Sequence, residues 1–109
     1  MTYQDISPKD AHAKISEDDS IQILDVRTAP ELGSYHIANA QLLPVQELGN
    51  QFGELDKSAS YVIYCEHGIR SLAACEILAS HGFTDLTNVD GGMVAWVNAN
   101  LPFEQPHRQ

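Results

Sequence analysis

Short apolar runs of strand type alternate along this chain with runs of helical spacing. That alternation predicts a parallel sheet with helices on both faces, an α/β fold. Ile21-Gln22-Ile23-Leu24-Asp25-Val26 reads as a strand that becomes buried on both sides, as strands of parallel sheets do. Gln41-Leu42-Leu43 is a short strand stopped by Pro44. Tyr61 to Tyr64 and Leu86 to Val89 complete the strand-like runs. Between them, Ser7 with Pro8 suits an N-cap and first helical position, opening a weakly amphipathic helix to about Ser16. Thr28 caps a short helix through Pro30-Glu31-Leu32, which Gly33 helps to end. Val45 to Phe52 reads as helical with a break near Gly49-Asn50. Ser71 to Ser80 has the clearest helical pattern, closed by Gly82 after His81. Gly91-Gly92 leads into a helical Met93-Val94-Ala95-Trp96-Val97, and after Pro102 the polar tail is expected to fray.

In open α/β sheets, sites lie beyond the carboxyl ends of strands. Cys65 stands at such an end, after Tyr61-Val62-Ile63-Tyr64, and Asp25 and Arg27 stand at another. The loop Cys65, Glu66, His67, Gly68, Ile69, Arg70 and Ser71 turns from strand into helix. A sulfur there meets backbone N–H groups and the positive end of a helix dipole, conditions that stabilise an anionic, nucleophilic sulfur. Cys75 shares the apolar face of the next helix with Leu72 and Ala79, which reads as core packing rather than a second reactive thiol.

Composition narrows the classes. A chain of 109 residues is one domain, spanning 1–109, with room for one core. Net charge is −9 and no basic cluster offsets it, so nucleic acid is not expected as a partner. No apolar run approaches the length of a membrane span. Met1-Thr2-Tyr3-Gln4-Asp5 lacks the pattern of a signal peptide, and the expected compartment is the cytoplasm. The two cysteines, Cys65 and Cys75, form no C-x-x-C and no disulfide framework. Cys65 and His67 have no second pair of ligands, so no metal is expected, and Gly91-Gly92 is not a dinucleotide fingerprint, so no cofactor is implied.

Three segments, in order, resemble the single-domain rhodanese family. They are Leu24-Asp25-Val26-Arg27 with Glu31 after it, His36-Ile37-Ala38-Asn39-Ala40 with Leu43-Pro44, and the Cys65–Ser71 loop. Gly82-Phe83 and Val89-Asp90-Gly91-Gly92-Met93-Val94-Ala95-Trp96 follow at workable spacing. The resemblance covers roughly Ile6 to Leu101. It implies a three-layer α/β/α fold around a five-stranded parallel sheet. It also implies sulfurtransferase chemistry: a donor such as thiosulfate, a persulfide or a polysulfide passes a sulfane sulfur to Cys65, and cyanide or a thiol removes it. A protein carrying a persulfide is a further candidate partner.

On that resemblance, Cys65 is the persulfide carrier and the N–H groups of Glu66 through Ser71 form the anion cradle. Gly68 allows a backbone path that a Cβ would hinder. Arg70 either holds a donor oxyanion or pairs with Asp25 or Glu31. Asp25 with Arg27 is either part of the site or a structural ion pair. His67 is expected to face solvent, His36 to be a structural hydrogen-bonding residue, and Met93, Trp96 and Val97 to be core, while His12, His81 and His107 have no visible context. The chain departs from the family at Tyr35, where a glycine is usual, and at Ala38-Asn39, which replaces Pro-Gly; these changes bear on loop shape. Glu66 stands where some thiosulfate-using members carry a cation, so a dianionic donor is expected to be repelled. Two other classes compete. Phosphatase and arsenate-reductase relatives use a loop one residue longer between Cys and Arg, and regulatory rhodanese modules commonly lack the cysteine that this chain retains.

Overall fold

The computed structural model describes residues 3–106. It contains a five-stranded sheet in the order β1-β5-β4-β2-β3, with all neighbouring strands parallel. The strands are β1 (Gln4–Ile6), β2 (Gln22–Asp25), β3 (Gln41–Leu42), β4 (Tyr61–Tyr64) and β5 (Leu86–Val89). The helices are α1 (Pro8–Glu17), α2 (Ala29–Ser34), α3 (Leu48–Gln51), α4 (Ile69–Ser80) and α5 (Gly92–Asn98).

The central strand explains the two cores. On β4, Tyr61 and Ile63 face one layer with Cys65 beyond them, and Val62 and Tyr64 face the other. The first layer packs these residues against Leu48 of α3 and Ala74, Cys75 and Leu78 of α4. The second packs β-strand residues against Ala11 of α1 and Met93 and Trp96 of α5. Every residue of β4 is buried, which is why its sequence is a continuous apolar run rather than an alternating one. Met93 and Trp96 are core as expected, and Val97 packs against the same layer.

Local signals hold at Ser7 and at Gly82. The Ser7 hydroxyl accepts the Asp10 N–H at 3.1 Å, with Pro8 opening α1. After α4, the Gly82 N–H bonds the Ala79 carbonyl at 3.2 Å and the Phe83 N–H bonds Leu78 at 3.1 Å, a Schellman closure. Asn39 takes φ 69, the left-handed region that Asn tolerates, at the position where the family has glycine.

Several expectations are corrected. The edge strand Gln4–Ile6 is invisible in sequence, because it is short, half polar and exposed. Gly33 lies inside α2, and the helix ends instead as Tyr35 turns extended. The segment 45–54 is broken, but on either side of α3 (3₁₀ turns at Val45–Glu47 and Phe52–Glu54) rather than at Gly49-Asn50. Helix α4 begins at Ile69, two residues before Ser71. The tail does not fray through Glu104: its backbone pairs with His36 at 2.9 and 2.8 Å, and the Trp96 indole N–H donates to the Pro102 carbonyl at 2.8 Å. His107 lies outside the described residues.

Candidate active site

Strand β4 delivers Cys65 to the carboxyl edge of the sheet, where its side chain is 1% exposed against α4. Gly68 caps α4 in the left-handed region at φ 92, and a Cβ there would lie 3.0 Å from the Gly91 nitrogen. This cap turns the chain so that the Gly68 N–H points at the Cys65 sulfur, 3.1 Å away. Ser71, three residues past the cap, has an amide with no partner inside the helix. It also points at the sulfur, at 3.3 Å, and its hydroxyl lies at 3.3 Å. Of the amides from Glu66 to Ser71, those of Gly68 and Ser71 bond the sulfur.

A second helix N-terminus fixes the other side of the loop, and sequence reasoning missed it. In the first turn of α5, the Met93 N–H bonds the Cys65 carbonyl at 2.8 Å and the Val94 N–H bonds the Glu66 carbonyl at 3.1 Å. Those two bonds fix the first two carbonyls of the loop. Gly92 makes this approach possible: at φ 65, an added Cβ would sit 2.5 Å from the Cys65 oxygen and 2.6 Å from the Glu66 carbonyl. The Gly91-Gly92 pair directly before a helix was the available signal.

Asp25 and Arg27 are both fully buried. The Arg27 guanidinium donates through Nε and Nη2 to Asp25, at 3.0 and 2.8 Å. Its Nη1 reaches Glu66 at 2.9 Å, and Nη2 also reaches the Tyr35 carbonyl at 2.6 Å. The guanidinium carbon lies 5.7 and 5.5 Å from the ring centres of Tyr35 and Tyr64. Burial opposes the Arg27 charge, yet the bonds to Asp25 and Glu66 hold it above the usual arginine range. Glu66 is thus not the bare carboxylate that the sequence suggested. Its second oxygen accepts the Tyr35 hydroxyl at 3.0 Å. Burial first, and then Glu66, push the Tyr35 phenol up. The departure at Tyr35 is a tie to the loop.

Arg70 resolves in favour of a carboxylate partner. Its two terminal nitrogens meet both oxygens of Glu31 at 2.8 and 2.7 Å. The same Glu31 accepts the Thr28 N–H at 3.0 Å and hydroxyl at 3.1 Å, so one carboxylate caps α2 and anchors the loop. The Arg70 fork outweighs burial and, with Thr28, holds Glu31 down to about 2.

The remaining singled-out residues separate clearly. His67 and Ile69 are exposed on the loop. His36 bonds the Leu32 carbonyl at 3.2 Å and approaches Glu104 at 3.3 Å, a structural role. His12 meets Trp96 edge-on and His81 stacks on Phe52, packing contexts that no local pattern revealed. Cys75 is fully buried in the α4 core, and desolvation first, with nearby Asp5 and Glu76, pushes its thiol up to about 12. Among the described residues, no group of three or more His, Cys, Asp and Glu side chains is placed to hold a metal ion, and no helix is long and apolar enough to cross a membrane.

The chain and its fold have counterparts among known proteins. The model of the rhodanese-like domain matches residues 7–99. A sulfurtransferase of Allochromatium vinosum is 29% identical, over 94% of this chain and 95% of its own length. A putative sulfurtransferase of Bacillus subtilis, YtwF, is 32% identical over 94% and 98%. The thiosulfate sulfurtransferase GlpE of Shewanella oneidensis is 36% identical over 80% and 86%. Among solved structures, a rhodanese-related protein from Thermoplasma volcanium superposes with a TM-score of 0.86 at 32% identity, covering 95% of this chain and all 100% of that one.

Proposed function

The chain belongs to the rhodanese-like domain family, and on that premise we propose that it is a sulfurtransferase whose Cys65 carries a sulfane sulfur as a persulfide. The Cys65 thiolate attacks the sulfane sulfur of a donor, thiosulfate or a persulfide; the donor's S–S bond breaks and sulfite or a thiolate leaves. A thiol or cyanide acceptor then takes the outer sulfur and returns Cys65 to the thiolate. The observation that carries this reading is the convergence of the Gly68 amide, the Ser71 amide and the Ser71 hydroxyl on one sulfur atom, at 3.1, 3.3 and 3.3 Å. Donors aimed at that point suit an anionic sulfur. The sulfurtransferase names of several relatives support the same class. A reducing compartment, the cytoplasm, would keep Cys65 and Cys75 as the free thiols seen here.

The phosphatase alternative loses support at Arg70. Both of its terminal nitrogens are committed to Glu31, outside the loop, rather than turned in toward a tetrahedral oxyanion. Intact mass spectrometry after exposure to thiosulfate, glutathione persulfide and polysulfide in turn tests the proposal. The expected result is a gain of one sulfur atom, retained in Cys75→Ser and lost in Cys65→Ser, with sulfur transfer to cyanide abolished in the latter. Undiminished transfer by Cys65→Ser would overturn the assignment.

A further inference from the structure

Resting on the sulfurtransferase reading, we propose that the Cys65 loop discriminates among donors by charge: it takes sulfane sulfur from persulfides on uncharged or cationic carriers and disfavours the thiosulfate dianion. The arrangement of the site's two guanidinium groups points there. Arg27, fully buried, is shared between Asp25 at 2.8 Å and Glu66 at 2.9 Å. One arginine serves two carboxylates, so this cluster keeps a formal charge of −1, shared with Glu66, the residue that follows Cys65. Arg70 is balanced one-to-one by Glu31, both oxygens engaged. Both guanidinium groups face carboxylates, so neither contributes net positive charge for the outer oxygens of a sulfonate.

Other described cations stand apart. Lys14 borders a cavity shared with Gly82 and Asp85, and the Lys57 side chain also lies near Gly82, at the amino edge of the sheet. Lys9 is exposed in the first turn of α1, past the carboxyl end of β1 and two strands away from β4. Asp90, directly after β5 on the carboxyl edge, is exposed and adds negative charge on the side that holds the loop. The rim is also apolar. Ile69, inside the loop, is 76% exposed, the most exposed large apolar side chain among the described residues. A dianion finds no positive charge in excess of the paired carboxylates here, whereas a carrier with an apolar or basic face meets Ile69 and an acidic surround.

The step balances for such a donor. The Cys65 thiolate attacks the outer sulfur of R–S–SH, the donor's S–S bond breaks, Cys65–S–SH forms with the proton retained, and R–S⁻ leaves. No oxidant or reductant is needed.

Rates of single-sulfur loading on Cys65 test the idea, read by intact mass spectrometry with thiosulfate, cysteamine persulfide and the persulfide of N-acetylcysteine methyl ester. Because intrinsic donor reactivities differ, each rate is read against salt and against Glu66→Gln. Thiosulfate loading of the wild type should rise with added potassium chloride as repulsion is screened, and cysteamine persulfide loading should not rise. Removing one charge in Glu66→Gln should raise the ratio of thiosulfate to cysteamine persulfide loading roughly tenfold. If thiosulfate loading is insensitive to salt and the ratio is unmoved by the substitution, the charge-selection inference is wrong while the sulfurtransferase reading stands. Should the variant fold poorly, the salt series on the wild type decides alone. If no donor adds sulfur to Cys65, both fall.

Discussion

At the residue scale, the site depends on charges that must be paired to be buried. Arg27 brings a single positive charge to two carboxylates, Asp25 and Glu66, and hydrogen-bonds both. Arg27→Met should therefore destabilise by about 3–5 kcal/mol, because it strands carboxylates rather than merely deleting a contact. Urea denaturation at neutral pH measures it, and a loss under about 1 kcal/mol would mean that the cluster is not held as described. Glu31 makes a different case, since both partners of its ion pair are about a third exposed, 31% and 37%. Solvent screening limits the pair to about 1 kcal/mol. Its pH dependence has a definite sign. The folded Glu31 is held down to about 2, below its unfolded value, so its contribution is present above about pH 4.5 and is lost as pH falls toward 2. The stability gap between wild type and Glu31→Gln should be open at pH 7 and should narrow between about pH 4.5 and 2. A gap that stays constant across that range would contradict the shift.

At the element scale, two helix N-termini cooperate on one loop. Helix α4 sends the amides of Gly68 and Ser71 to the sulfur, and α5 sends those of Met93 and Val94 to the loop carbonyls. The loop was legible from Cys65, Gly68 and the helical pattern after it, because strand end, glycine and helix start are local signals. The α5 clamp was not legible, because it joins residues nearly thirty positions apart in a chain of 109. Gly92 is where the clamp is most exposed to test. A Cβ at 2.5 Å from the Cys65 oxygen, on a backbone at φ 65, cannot be accommodated without moving α5 or the loop. Gly92→Ala should cost about 2 kcal/mol or more and should slow sulfur loading of Cys65. Gly53→Ala, whose added Cβ meets nothing within 4 Å, is the control. Equal behaviour of the two variants in thermal melts and loading assays would remove the clamp from the account.

At the scale of the whole molecule, two apolar layers enclose a sheet whose carboxyl edge carries the chemistry. The core side holds Cys75, pushed up to about 12 by burial first. A folded value above the unfolded one means that stability is full below about pH 8.5 and declines as pH rises toward 12, because unfolding then releases a proton. Cys75→Ala should flatten that alkaline decline by one proton's worth while costing about 1–2 kcal/mol at pH 7. Denaturant titrations at pH 7, 9 and 10 compare the slopes, and identical slopes would place the Cys75 thiol outside the core. The alternation of strands and helices, the caps at Ser7 and Gly82, and Cys65 as the candidate nucleophile were readable from the residues alone. Each of these is written in neighbouring residues, whose periodicity and turn chemistry act over a few positions. It took the packed chain to show that Arg70 serves Glu31, that Arg27 is divided between Asp25 and Glu66, that Tyr35 ties down the loop, and that β1 completes the sheet. Those outcomes turn on which side chains a parallel sheet brings together at one edge. Pairing of that kind is set by burial and by the demand that every buried charge and amide find a partner, wherever in the chain that partner lies.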